Sequence, residues 1–190
     1  IKFSLKNSGT ILGEGKKFGV IWVDAHSDNV ILETTKRKDS RFVGIPLSTI
    51  AGQTMREWGR DYCHLDRPVP GERILVSDAR CSDEECIQNL KDAGIRRLTE
   101  EQFEDAALWK AEVAAFAEKV DAIFLMVDAD IMNGGCIPAY FCEEPGGHDV
   151  RKVMENVRAV METGKVEAFA CFCVDFDKYD EGGDVTYLNG

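Results

Sequence analysis

Four stretches of this chain are near-continuous apolar runs: FGVIWV at 18–23, RILVS at 73–77, DAIFLMV at 121–127 and VEAFACFCV at 166–174. A strand covered on one face alternates apolar with polar residues, whereas a strand covered on both faces does not. The runs therefore predict central strands of a parallel sheet with helices on either side. A weaker fifth strand is expected at GIRRL, 94–98. Helical periodicity fills the intervals. Residues 47–59 set Leu47, Ile50, Ala51, Met55 and Trp58 on one side. A helix over 83–92 follows Ser82, with Glu85 three positions on as a capping box, and Thr99 with Gln102 repeats the device before a helix at 100–119. Residues 149–163 carry Val150, Val153, Met154, Val157, Val160 and Met161 and stop at Gly164. Strands alternating with helices predict a three-layer α/β/α sandwich with a central, mainly parallel sheet. A length of 190 residues with no repeat or low-complexity linker fits a single domain over 1–190.

Ligands of such sheets bind beyond the carboxyl ends of the strands. Two of the apolar runs end in clusters of metal-capable side chains. Asp24, His26 and Asp28 follow the first, and Asp128 and Asp130, then Asn133, follow the fourth expected strand. The two-residue spacing keeps alternate side chains on one face of an extended segment. Four carboxylates and an imidazole aimed at one point would repel each other without a cation. A divalent ion removes that conflict, and oxygen ligands with an imidazole suit Mn²⁺. Two close ions sharing carboxylates can activate a water near neutral pH. Taken singly, each cluster also fits a helix cap or turn; their joint occurrence at two strand ends points to a metal site.

Composition narrows the partners. The net charge of −11 disfavours nucleic acid, and 44% hydrophobic with 30% charged residues describes a globular chain. The seven cysteines are odd in number and contain no CxxC pair, so a reducing, cytoplasmic setting is expected rather than a disulfide framework. No apolar stretch is long enough to span a membrane. The first residue is Ile1, not Met, so part of the N-terminal side is expected to be missing.

WVDAHSD at 22–28 resembles the DAHxD element of the ureohydrolases, the family of arginase, agmatinase and formimidoylglutamase, and VDADIMN at 127–133 resembles its DxDxxDP element. Further blocks follow in the family's order: GIPL at 44–47, ILVSDAR at 74–80, KDAGIRRLTEEQF at 91–103, EPGG at 144–147 and FCVDFDKYDEGGDVT at 172–186. The resemblance implies an arginase-like α/β/α fold, a two-manganese centre and hydrolysis of a guanidino or formimino C–N bond in a small molecule. Carried over by position, Asp24 and Asp128 would bridge the ions, His26 and Asp130 would complete one shell, and Asp28 would bind the other ion. Asp128, His26 and Asp175 are the expected catalytic residues, and Asn29, Asn133 and Asp175 the expected substrate contacts. Homo-oligomers are common in the family.

The departures bear on substrate. Ser4 stands where the family has an upstream metal-binding His, Val43 where it has a second His, and Asn133-Gly134 where it has Asp-Pro. The family's late Glu falls at Val174 or at the shorter Asp175. Substrate recognition is thus expected to differ from the arginase pattern, and a catalytically impaired scaffold or regulatory subunit is the alternative. A phosphotransfer enzyme with Asp128 as nucleophile is more distant, because Met132 replaces the expected Thr or Val and DAHSD is left unexplained.

The remaining candidates have ordinary readings. His64 and His148 are expected at the surface or at caps, Gly146-Gly147 in a turn, and Lys36, Arg37 and Lys38 on a solvated loop. Trp22 and the helically spaced Met residues are expected in the core, and Cys136 and Cys142 as plain thiols flanking the site loop.

Overall fold

In the computed structural model, which describes residues 16–38, 42–134 and 144–173, five strands pair in parallel in the order β3-β2-β1-β4-β5. They are β1 (Phe18–Asp24), β2 (Ile74–Asp78), β3 (Arg96–Leu98), β4 (Ala122–Asp128) and β5 (Val166–Phe172). The helices are α1 (Pro46–Ile50), α2 (Arg56–Cys63), α3 (Glu84–Asp92), α4 (Glu100–Glu104), α5 (Ala106–Ala117) and α6 (Val150–Met161). The chain winds outward from β1 through β2 to β3, then returns to β4 on the other side of β1. The order reverses between β1 and β4, and in open sheets of this kind the crevice at that reversal receives ligands.

β1, β2 and β4 feed both faces, which explains their unbroken apolar runs, whereas the run at 166–174, expected to form a central strand, gives β5 at the edge of the described sheet with Phe169 51% exposed. Ile21, Val23, Leu125 and Val127 pack under Phe103 and Trp109 of α4 and α5 and Val153 and Val160 of α6. Val20, Trp22, Val76 and Met126 pack under Leu47 of α1 and Leu90 of α3. The result is the expected three-layer α/β/α arrangement. A buried amide ties one helical layer together: Asn156 Nδ2 donates to Phe103 O at 2.7 Å while Asn156 O accepts from Trp109 Nε1 at 2.9 Å.

Several local expectations are corrected. The 47–59 segment is two short helices, because Gly52 and Met55 both take positive φ (71° and 49°) and reset the helical phase. Trp58 consequently lies outside, 39% exposed, with its ring 6.3 Å from that of Phe42. The 100–119 segment also divides, at Asp105. Its carboxylate caps α5 by accepting from the amides of Ala107 and Leu108. The Thr99–Gln102 capping box is present, but the one expected at Ser82 is not. Asp83 caps α3 by accepting from Cys86 N, which frees Ser82 Oγ to pair with Ser27. On α6, Val153 and Val160 are buried, whereas Met154 and Met161, one position on, are half exposed and not core.

Candidate metal centre

The β1–β4 register pairs Val23 with Val127, so the next residues, Asp24 and Asp128, end adjacent strands at the same level. On the other side of β1, Asp24 pairs with Asp78 of β2. Three neighbouring strands thus each end in an aspartate. The chain then turns sharply: Asp28, Asp78, Ala79 and Cys173 have positive φ, and all four lie at this carboxyl edge. Such conformations cost energy for residues other than glycine and gather at functional sites. Backbone bonds hold the first two loops together, with Ala79 N donating to Asp24 O at 3.0 Å and Cys81 N to Ala25 O at 2.8 Å.

Asp24, His26 and Asp130 converge here. His26 Nδ1 lies 2.9 Å from Asp130 Oδ2 and 3.5 Å from Asp24 Oδ1. Ala25 N donates to Asp130 Oδ1 at 3.1 Å. Asp24 is oriented from both sides, its Oδ2 accepting from Trp22 Nε1 at 3.0 Å and its Oδ1 from His26 N at 2.6 Å. Asp128 Oδ1 accepts from Asp130 N at 3.1 Å, and its Oδ2 from Cys173 Sγ at 3.0 Å. The ligand atoms of Asp24, His26 and Asp130 all lie within 4.8 Å of one another.

The electrostatics are those of crowded carboxylates. Burial, reinforced by Asp130 and Asp128, pushes Asp24 up to about 7. Burial and then Asp24 raise Asp28 well above the usual carboxylate range, and burial and Asp130 raise Asp128. His26 moves with them: hydrogen bonds to Asp130 and Asp24 lift it to about 11. A proton on the imidazole thus stands in for part of the positive charge that this cluster needs. A divalent cation among oxygen donors and one imidazole would supply that charge, so the donor set fits Mn²⁺.

The other expected residues have varied fates. Asn29 is fully buried and serves the loop itself: its Oδ1 accepts from Ser27 Oγ at 2.7 Å and its Nδ2 donates to Cys86 O at 2.9 Å. Its amide faces these partners rather than a substrate. Asn133 is half-buried, with its backbone N donating to His148 O at 3.0 Å. Asp175, Ser4, Cys136, Cys142 and Val174 lie outside the described residues. Val43 is 73% exposed.

His148 corrects its reading. It is buried, not a surface or capping residue: Nδ1 meets Glu104 Oε1, Nε2 lies 3.3 Å from Asp78 Oδ2, and its ring centroid lies 4.5 Å from that of Phe103, the two planes tilted by 54°. Burial alone would lower its pKa, but the hydrogen bonds to Asp78 and Glu104 prevail and raise it. Gly147 permits this approach, since φ is +94° and a Cβ there would meet Met132 C and O at 2.7 Å.

Arg80 is a residue that the sequence did not single out. Its side chain is 9% exposed. The guanidinium meets Asp78 Oδ2, donates from Nη2 to Asp130 O at 2.8 Å and from Nε to Pro145 O at 2.8 Å. One fork therefore joins the loops after β2 and β4 to the segment before α6. For its partner Asp78 a signal was available in ILVSD, an apolar run ending in Asp like those of β1 and β4.

A family model described as the arginase family matches residues 5–186. The chain belongs to the arginase family. Its match includes both DAHSD and VDADIMN, which the phosphotransfer reading could not combine. The chain is 26% identical over 149 residues to an arginase of Bacillus subtilis (strain 168), covering 76% of this chain and 49% of that protein. The crystal structure of arginase from B. subtilis superposes with a TM-score of 0.76 at 21% identity, over 90% of this chain and 60% of that one. Formimidoylglutamase from B. subtilis superposes at 0.68 and 17% identity, over 100% of this chain and 56% of that one. This arginase-family chain therefore spans about half the length of the curated relative it matches. No helix among the described residues is long and apolar enough to cross a membrane.

Proposed function

We propose that this chain is a manganese-dependent hydrolase of a linear C–N bond in a guanidino or formimino compound. The observation that carries the reading is the meeting of β1 and β4 through His26 and Asp130 beside the buried carboxylates of Asp24 and Asp128. Asp24 and Asp128 would hold two ions between them, His26 and Asp130 would complete one set, and Asp28 would serve the other. When bound, the ions supply an activated water and neutralise the aspartates.

The chain's own groups prepare that chemistry. Trp22 Nε1 and His26 N fix the two oxygens of Asp24, and Asp130 N fixes Asp128 Oδ1. Arg80, anchored on the Asp130 carbonyl, keeps the β4 loop in place. Asn133 and Asp175 are assigned to the substrate side, where a carboxylate and an amide carbonyl accept N–H bonds from an amidinium group. Protein loaded with Mn²⁺ should release urea or ammonia from at least one of arginine, agmatine, guanidinobutyrate or formiminoglutamate. Asp128→Ala should abolish the release.

A second reading rests on the histidine count. The sequence contains three, and of these only His26 joins the cluster, since His148 is held by Asp78 and Glu104 and His64 follows α2. The second ion would then have oxygen donors alone and bind weakly, giving a metal-binding but catalytically impaired scaffold or regulatory subunit. Mn²⁺ uptake without turnover of any of the four compounds would favour it. We further assign the chain to one domain and to the cytoplasm, the latter supported by its odd cysteine count and lack of a CxxC pair.

A further inference from the structure

At the outer edge of the same cleft, His26 Nε2 lies 3.4 Å from Glu144 Oε1. Cys81 completes a group whose ligand atoms all lie within 4.8 Å of one another. The three residues come from the loop after β1, the loop after β2 and the segment before α6. Each is held by a bond made elsewhere: His26 N on Asp24 Oδ1 at 2.6 Å, Cys81 N on Ala25 O at 2.8 Å, and the Glu144 segment through Arg80 Nε on Pro145 O at 2.8 Å.

The imidazole is placed between the two donor groups, with one nitrogen toward each. Nδ1 faces Asp130 Oδ2 at 2.9 Å. In the metal-free chain both ring nitrogens face carboxylates, and an ion would replace the Nε2 proton while Nδ1–H stays on Asp130, the arrangement that metal-ligating histidines commonly adopt. Nε2 points at Glu144 and Cys81. The donors also differ in kind from the aspartate set: thiolate, imidazole and carboxylate suit Zn²⁺ or Co²⁺ rather than Mn²⁺.

We infer that His26 Nε2, Cys81 Sγ and the Glu144 carboxylate form a distinct cation site that takes a thiophilic divalent ion such as Zn²⁺. Three protein ligands leave a fourth position to solvent at the half-exposed mouth of the cleft. Binding releases two protons, that of the Cys81 thiol, which the metal-free chain shares with Glu144, and that of His26 Nε2. The neighbouring Arg80 works against a cation here, but its charge is already met by Asp78. A neutral imidazole coordinates through one nitrogen. An ion on Nε2 keeps the proton on Nδ1, facing Asp130, and so withdraws the imidazole from the proposed manganese set. Zinc at this site competes with manganese without occupying its position.

The site shares His26 with the manganese reading but does not require it, and the experiment separates the two. The full chain, stripped of metal, is titrated with Co²⁺ and its near-ultraviolet absorption followed for thiolate-to-cobalt charge transfer. The expected result is a saturable band that Cys81→Ser abolishes. Glu144→Gln should weaken its apparent affinity about 10-fold or more. Cys81→Ser should still take up Mn²⁺ as the wild type does. Absence of the band in the wild type, or a band undiminished in Cys81→Ser, overturns the inference. Failure of the manganese reading would appear separately, as absent Mn²⁺ uptake by the wild type.

Discussion

The Nδ1 of His26 and the Oδ2 of Asp130 stand 2.9 Å apart, joining the loop after β1 to the loop after β4 across 104 residues of sequence. This contact closes the crevice at which the strand order reverses, and the other aspartates collect around it.

The first prediction follows from the crowding. Asp128 is held above its ordinary pKa by burial and by Asp130, so its charge is a burden to the metal-free fold. Asp128→Asn should leave the metal-free protein at least as stable as the wild type above neutral pH. It should lose the stabilisation by Mn²⁺, which for the wild type reaches about 2.7 kcal/mol at a free concentration 100 times Kd. Thermal melts with and without Mn²⁺ read both effects, and an unchanged Mn²⁺ shift in the variant would contradict the assignment.

His148 gives a pH dependence. Its folded pKa lies above the unfolded value of 6.5 because Asp78 and Glu104 hold the proton. The folded state therefore binds more protons in the interval between the two values. The stabilisation is complete below 6.5 and is lost as pH rises through the folded pKa. Relative to His148→Gln, the wild type should be more stable by about 1–3 kcal/mol at pH 6, with the difference shrinking at higher pH. Urea unfolding across that range measures it; a constant difference would exclude His148 as the titrating group.

Arg80 is predicted to matter by its shape as well as its charge. Arg80→Met removes one partner of a buried pair and should cost about 3–5 kcal/mol. Arg80→Lys keeps the charge but cannot reach Asp78, Asp130 O and Pro145 O together. It should fold and yet bind Mn²⁺ about 10–100-fold more weakly, as read by calorimetric titration. Equal Mn²⁺ affinity in Arg80→Lys would show that the fork does not position the ligands.

Gly147→Ala tests the approach of the pre-α6 segment to the end of β4. The new methyl meets backbone atoms of Met132 at 2.7 Å in a left-handed conformation. A loss of about 1–3 kcal/mol in urea unfolding is expected; a neutral change would mean that the segment can retreat at no cost.

The sheet was legible in the sequence because strands buried on both faces have to be apolar throughout, and FGVIWV and DAIFLMV can hardly be anything else. The aspartate set was legible for a related reason: Asp24 and Asp128 end those runs abruptly. What escaped depends on tertiary contact. Nothing local distinguishes Arg80 from a solvated arginine, because its acceptors at Asp130 and Pro145 lie 50 and 65 residues away. His148 likewise reads as a cap residue until Glu104 and Asp78 are brought to its ring. The helix breaks at Gly52 and Asp105 were missed because the apolar spacing continues across them while the backbone does not.

Anomalous diffraction at the manganese edge, from crystals grown with millimolar Mn²⁺, puts the account to its most direct test. A peak is expected within coordination distance of Asp24, His26, Asp128 and Asp130. Ordered aspartates with no peak among them, or manganese bound only elsewhere on the chain, would contradict it.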